Sequence, residues 1–197
     1  MTKGRLEAFS DGVLAIIITI MVLELRPPHG STVPDLAPLI PILSSYVLSF
    51  VLLGIYWNNH HHLLQAIHHV DGRVLWANLH LLFWLSLVPA VTAWIGETRF
   101  AAWPVAFYGM VLLGAALAYF ILARALIALH GRDSALSTAL GRDVKGKGSV
   151  AIYAGAIPLA FVAPWLACAL YVLVDVIWLV PDRRIERTLR QSASRQH

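Results

Sequence analysis

The chain has few charged residues for its length. Of its 197 residues, 13% are Asp, Glu, Lys or Arg and 58% are hydrophobic, whereas a soluble domain carries about 25% and about 45–50%. This shortage of charge excludes a disordered protein, a coiled coil and, despite the net charge of +4, a nucleic-acid-binding module. The sole cysteine, Cys168, excludes an intrachain disulfide and a cysteine metal cluster. No small-residue cleavage site follows the first apolar run, so we expect that run to be retained as a membrane anchor.

Long apolar runs make up most of the chain. Four of them match the roughly 20 residues that a helix needs to cross a bilayer: 6–25, 39–64, 74–95 and 101–129. A fifth run, 150–180, is too long for one crossing and short for two, and Pro158 and Pro164 predict a break near its middle. Breaking it there predicts two further spans, 149–163 and 164–180. The expected fold class is therefore an all-α membrane protein with six transmembrane helices.

The distribution of basic residues favours six spans over five. Cytoplasmic loops of membrane proteins carry the excess of Lys and Arg. With six spans and the N-terminus inside, all of the 15 Lys and Arg except Arg26 and Arg99 lie on the cytoplasmic side. We therefore expect one membrane domain over 1–181 with both termini cytoplasmic. The basic tail 182–197 either anchors the chain on that side or binds anionic lipid.

A short motif opens the first span. Arg5, Phe9, Ser10 and Asp11 form the string R-x-x-x-F-S-D, and the second span carries Trp57 and His61 as W-x-x-x-H. Together with the six expected spans, these residues resemble the transmembrane protein 175 family of potassium channels, in its bacterial single-repeat form. The resemblance implies a homotetrameric, leak-like potassium channel of the bacterial inner membrane. It also implies a pore lined by the first helices, no enzyme activity and no cofactor other than the permeant K⁺.

The resemblance also implies which residues line the pore. Counted from the motif, Ile16 matches the family's main constriction, and Thr19 and Leu23 match its other pore layers. At 100° per residue, one stripe within about 60° of Ile16 holds these residues and also Phe9, Gly12 and Ile20. Glu24 follows at the expected outer mouth, and no Thr-Val-Gly-Tyr-Gly filter is present. Periodicity alone would favour helix packing or lipid contact for this stripe.

The polar residues of the motif point away from that stripe. Ser10 and Asp11 lie at least about 120° from Ile16 around the helix, so they face the rest of the same subunit. Because a carboxylate inside a membrane needs partners, we expect a structural cluster that fixes the tilt of the pore helix. Its expected members are Arg5, Phe9, Ser10, Asp11, Trp57 and His61, with Asn78 or His80 as a further partner. The alternative is that Ser10 and Asp11 only cap the first helix.

Two other functions remain open from the sequence. The runs His60–His62 and His68–His69 invite a metal- or haem-binding membrane oxidoreductase, but adjacent helical histidines diverge by about 100° and we expect no metal site. Asp175, inside the last span, serves either as a proton relay of a small proton-coupled transporter or as a partner of Arg124 or a backbone group. We expect the pairing.

Overall fold

The described part of the molecule is entirely helical. The computed structural model describes residues 2–25, 27–28, 30–131 and 144–179. Its α-helices are α1 (Lys3–Leu23), α2 (Ile40–Gln65), α3 (Gly72–Ser86), α4 (Val88–Glu97), α5 (Ala102–His130), α6 (Val144–Leu159) and α7 (Pro164–Leu179). A 3₁₀ segment, Val33–Leu39, leads into α2. The basic tail 182–197 lies outside the described residues.

Four helical segments are long and apolar enough to cross a membrane, so the protein is a multi-pass membrane protein. They are Lys3–Leu23, Val33–Gln65, Gly72–Glu97 and Ala102–His130. The last two helices have 16 residues each, which at 1.5 Å per residue is about 24 Å. That length falls short of the roughly 30 Å hydrocarbon core. Between them the chain turns at 160–163, after Pro158 in the last turn of α6 and before Pro164 at the start of α7.

The third apolar run, expected as one helix over 74–95, is instead two helices joined at Leu87. The residue responsible is Pro89, in the first turn of α4. Proline has no backbone N–H to donate to the preceding turn, and its ring crowds that turn, so it suits the start of a helix better than its interior. The two helices still lie end to end as one apolar segment, Gly72–Glu97.

Helix α5 forms the centre of the subunit, in contact with α3, α4, α6 and α7, while α1 packs against α2, α3 and α4. Two glycines of α5 allow the closest approaches. A Cβ atom on Gly114 would overlap the indole of Trp84, and one on Gly109 would overlap the phenol of Tyr171. Small residues let membrane helices approach closely, and these contacts give the partner of each glycine.

We expect Gly114→Ala to destabilise the subunit by about 1–3 kcal/mol, because a methyl group there forces the Trp84 ring out of place. The measurement is the thermal unfolding of purified protein in detergent. Gly155→Ala is the matched control, since a Cβ at Gly155 meets no atom within 4 Å. That variant should be slightly stabilised, as alanine loses less backbone entropy in a helix. Equal melting temperatures for the two variants would contradict the packing described here.

Candidate functional site

Helix α1 has one face packed into the subunit and one face left open. Its buried residues recur at helical spacing: Leu6, Ser10, Leu14, Ile17 and Met21. These side chains face α2, α3 and α4, the helices that α1 contacts. Val13 and Ile18 are partly buried against the same core, whereas the apolar side chains on the opposite side of α1 are exposed.

The open face contains the stripe that the sequence assigned to the pore. Ile16 is 59% exposed and Leu23 is 77% exposed. The other residues on this side of the helix are also exposed: Phe9, Gly12, Thr19 and Ile20. Thr19 Oγ1 donates to the Ile16 carbonyl at 2.9 Å, so its hydroxyl proton is used within its own helix. Glu24 is the exposed residue that caps the end of α1.

Behind this face, three buried polar side chains link α1, α2 and α3. Ser10 Oγ donates to the Leu6 carbonyl and accepts from Asn78 Nδ2, both at 2.9 Å. Asn78 Oδ1 lies 2.7 Å from His60 Nε2. An amide oxygen can only accept, so His60 carries its proton on Nε2. Every member is buried, and each hydrogen bond is therefore costly to lose.

A second group of polar side chains links α1 to α2. Asp11 Oδ1 accepts from Trp57 Nε1 at 3.0 Å, and the Trp57 indole stacks on His61 with 5.8 Å between ring centroids. His61 Nε2 lies 2.8 Å from the amide nitrogen of Gln65, which donates. His61 Nδ1 therefore carries the proton and faces Glu7 Oε1 at 3.5 Å.

The structure brings Ser10, Asp11, Trp57 and His61 to one side of α1, but it divides them between these two networks. Of the two residues expected as a further partner, Asn78 is the one that joins, through its bonds to Ser10 and His60. His80 does not join, because it accepts from Trp84 Nε1 within α3. The sequence did not identify His60 as a member of the polar cluster. His60 is buried, whereas its neighbour His61 is half exposed.

Arg5 and Phe9 do not join either network. Both are exposed, and Phe9 lies on the same open face as Ile16. The helical period explains this, since Phe9 precedes Ile16 by seven residues, or about two turns.

The histidine runs do not assemble a metal centre within the described residues, where no group of three His, Cys, Asp or Glu has ligand geometry. His69 and His130 do meet, with 4.6 Å between ring centroids. Both nitrogens of His130 are engaged. Nδ1 lies 3.1 Å from the Leu126 carbonyl and Nε2 accepts from the His68 backbone at 3.2 Å.

Asp175 makes neither of its expected contacts in the part of the chain that the structure describes. Its Oδ2 atom is buried and has no hydrogen-bond partner there. Arg124 is exposed instead and lies over the Phe120 ring, 5.9 Å from its centroid. The expected pairing was therefore wrong for these residues, because Arg124 turns its guanidinium outward.

Comparison with known proteins decides the family. A relative from Chryseobacterium sp. (strain P1-3), named a potassium channel, is 53% identical over 192 residues, which is 98% of this chain and 100% of the relative. The family model described as "Endosomal/lysosomal potassium channel TMEM175" matches residues 5–89. This chain belongs to the TMEM175 family. The match includes the motif at Arg5–Asp11 and the networks behind α1.

A solved structure extends the likeness over nearly the whole of this chain. It is a crystal structure described as a lysosomal potassium-selective channel TMEM175 homolog from Chamaesiphon minutus. The two chains are 26% identical with a TM-score of 0.79, over 91% of this chain and 97% of that one.

Other relatives match over shorter stretches. A potassium channel of Streptomyces collinus is 36% identical over 125 residues, 59% of this chain and 61% of the relative. Human TMEM175, named an endosomal/lysosomal proton channel, is 35% identical over 79 residues. That stretch is 34% of this chain and 16% of the human protein.

Proposed function

We propose that this chain is a potassium-selective, passive cation channel, assembled as a homotetramer around the open face of α1. The observation that carries the proposal is the exposure of that face. Helix α1 is held to α2 and α3 by polar side chains on one side, and it exposes a largely apolar stripe on the other. An exposed apolar face on a membrane helix contacts lipid, another subunit or a conduction path. The names of the bacterial relatives, potassium channels in each case, support conduction.

One α1 helix cannot enclose a path, so the pore requires several copies about an axis. Closed symmetry is the rule for homo-oligomers, and four copies would bring four Ile16 side chains into a ring. Thr19 and Leu23 form the next layers outward, with Gly12, Ile20 and Glu24 as secondary lining. A narrow apolar ring makes an ion shed water. Since K⁺ holds its water less tightly than Na⁺, such a ring favours K⁺ without a carbonyl filter.

The proposed topology has six crossings and cytoplasmic termini in the bacterial inner membrane. The distribution of Lys and Arg supports this orientation, and the turn at 160–163 supports counting α6 and α7 as separate crossings. Helices of about 24 Å can span if the bilayer thins locally or flanking residues reach the interface. The channel domain would then cover 1–181.

Protons are the second candidate cargo, because the vertebrate relatives are named proton channels. The comparison covers only a small share of those proteins, 16% in the human case. The oxidoreductase and proton-coupled transporter alternatives have no such support. The described residues offer no metal-ligand group.

We expect the purified full-length protein in liposomes to dissipate a K⁺ gradient without any other energy source, and a matched Na⁺ gradient more slowly. The physical reason is the lower dehydration cost of K⁺ at an apolar constriction. The measurement is ion flux monitored by a potential-sensitive dye, with a pH-sensitive dye inside parallel liposomes to detect protons.

Protein-free liposomes and the native mass of the complex serve as controls. A conducting monomer would contradict the tetrameric pore. Flux that requires a pH gradient would favour the transporter alternative, and proton flux without K⁺ flux would favour the second cargo.

A further inference from the structure

A second polar feature lies on the side of the subunit away from the α1 stripe. It is a cavity of about 40 Å³ between α2, α5, α6 and α7, whereas α1 packs against α2, α3 and α4. At roughly 10–15 Å³ per water-sized group, the cavity accommodates about three such groups. Because the cavity shares only α2 with the helices that pack against α1, it is distinct from the proposed pore.

Polar and apolar side chains line the cavity together. Its polar walls include Tyr56, Asn59, Ser149, Tyr153, Asp175 and Trp178. Asp175 is 4% exposed, and its Oδ2 atom has no hydrogen-bond partner in the described part of the chain. A polar group left in this state costs free energy unless something in the cavity satisfies it.

Most of the N–H donors around the cavity are already used. Trp178 Nε1 donates to Ser149 Oγ at 2.9 Å, and Ser149 Oγ donates in turn to the Lys145 carbonyl at 2.9 Å. Asn59 Nδ2 donates to the Ile55 carbonyl at 2.8 Å. What remains for an occupant is oxygen: the carboxylate and the Asn59 amide oxygen, which accept, and the hydroxyls of Tyr56 and Tyr153, which can accept or donate.

Within the described residues, no Lys, Arg or His forms an ion pair with Asp175. An ionised carboxylate at membrane depth requires a counter-charge. One carboxylate among neutral oxygens balances a single positive charge, whereas a divalent ion would leave an excess charge in a low-dielectric site.

We propose that this cavity is a binding site for one monovalent cation, held by the Asp175 carboxylate and the surrounding oxygens in the wall of each subunit. The site neutralises Asp175 and ties α7 to α2 and α6. It does not depend on the pore proposed above. Failure of K⁺ flux would leave it intact, and failure of the site would leave the pore intact.

The test uses Tl⁺, a monovalent cation with strong anomalous scattering. We expect crystals of the full-length protein in a thallous salt to give an anomalous peak beside Asp175 and Tyr56 in every subunit. In detergent, replacing N-methyl-D-glucamine with Tl⁺ should raise the melting temperature. Asp175→Asn should abolish the peak and most of that shift, and Tyr56→Phe should raise the half-saturating Tl⁺ concentration several-fold.

The matched control is Glu97→Gln, which removes an exposed carboxylate at the end of α4, outside the cavity, and should leave the peak beside Asp175 in place. A folded parent protein without that peak overturns the proposal, as water beside a protonated Asp175 would give this result. A peak that survives Asp175→Asn overturns it as well. If Asp175→Asn does not fold, unchanged Tl⁺ affinity in both Tyr56→Phe and Tyr153→Phe overturns it.

Discussion

Ile16→Asn is expected to raise the current through the channel and to lower its preference for K⁺ over Na⁺. In the proposed tetramer, four sec-butyl side chains at the constriction would give an ion nothing in exchange for lost water. Four amides would offer carbonyl oxygens and N–H donors, so the ring would stay wet. A barrier lowered by about 1.4 kcal/mol corresponds to a tenfold rise in rate, and we expect a change of roughly that size. Bi-ionic reversal potentials in planar bilayers measure the selectivity.

Two further variants of α1 make this experiment specific to the open face. Leu23→Asn should act in the same direction but more weakly, because Leu23 is the last residue of α1 and lies nearer the outer mouth. Leu14→Asn replaces a side chain that is 1% exposed, so it should impair folding and leave the selectivity of any surviving channel unchanged. An unchanged reversal potential in Ile16→Asn, combined with a shift in Leu14→Asn, would mean that the pore lies on the other face.

Which side chains of α1 face outward and which face the subunit was the part of the site that the sequence predicted best. A single helix has a fixed angle of about 100° per residue, so the opposition of Ile16 and Ser10 follows from their spacing alone. The structure has Ile16 exposed and Ser10 buried. The role of Ile16 in conduction stays a prediction, because it depends on other copies of the chain.

The partners of α1 were harder to predict, because they depend on how neighbouring helices rotate and at what depth they cross. His60 and His61 are adjacent in sequence, and only the rotation of α2 decides which one faces Asn78. The four-residue spacing of Trp57 and His61 indicated a shared face correctly. It could not reveal that the more deeply buried histidine is His60.

The helix break at Leu87 and the surroundings of Asp175 were not predicted correctly from the sequence, for two different reasons. Pro89 is a residue that favours a helix start. Because the apolar run continues on both sides of Pro89, hydropathy alone does not show the boundary at Leu87. The pairing of Asp175 with Arg124 was inferred from chemistry alone. It failed because the direction of a long side chain such as Arg124 is set by the local surface, here the ring of Phe120.

Asn78→Leu should cause a large loss of stability, since it removes the centre of the buried network. His60 Nε2 would lose its only acceptor in that network, while Ser10 would keep its bond to the Leu6 carbonyl. A buried donor left unsatisfied costs about 1–3 kcal/mol. We expect a lower melting temperature in detergent and a lower yield of assembled protein. Channels that do assemble should keep the parent's selectivity, because Asn78 lies behind the open face of α1.

A double variant separates the lost hydrogen bond from a simple packing defect. Replacing both partners of a buried hydrogen bond with apolar groups can be nearly neutral, so Asn78→Leu combined with His60→Leu should recover much of the stability that Asn78→Leu alone loses. His80→Leu is the matched control, because His80 lies two residues further along α3 and its hydrogen bond with Trp84 is exposed; its effect should be smaller than that of Asn78→Leu. If the double variant is no more stable than Asn78→Leu alone, the cost comes from packing around α3. The Ser10–Asn78–His60 network would then not be what holds α1 in position.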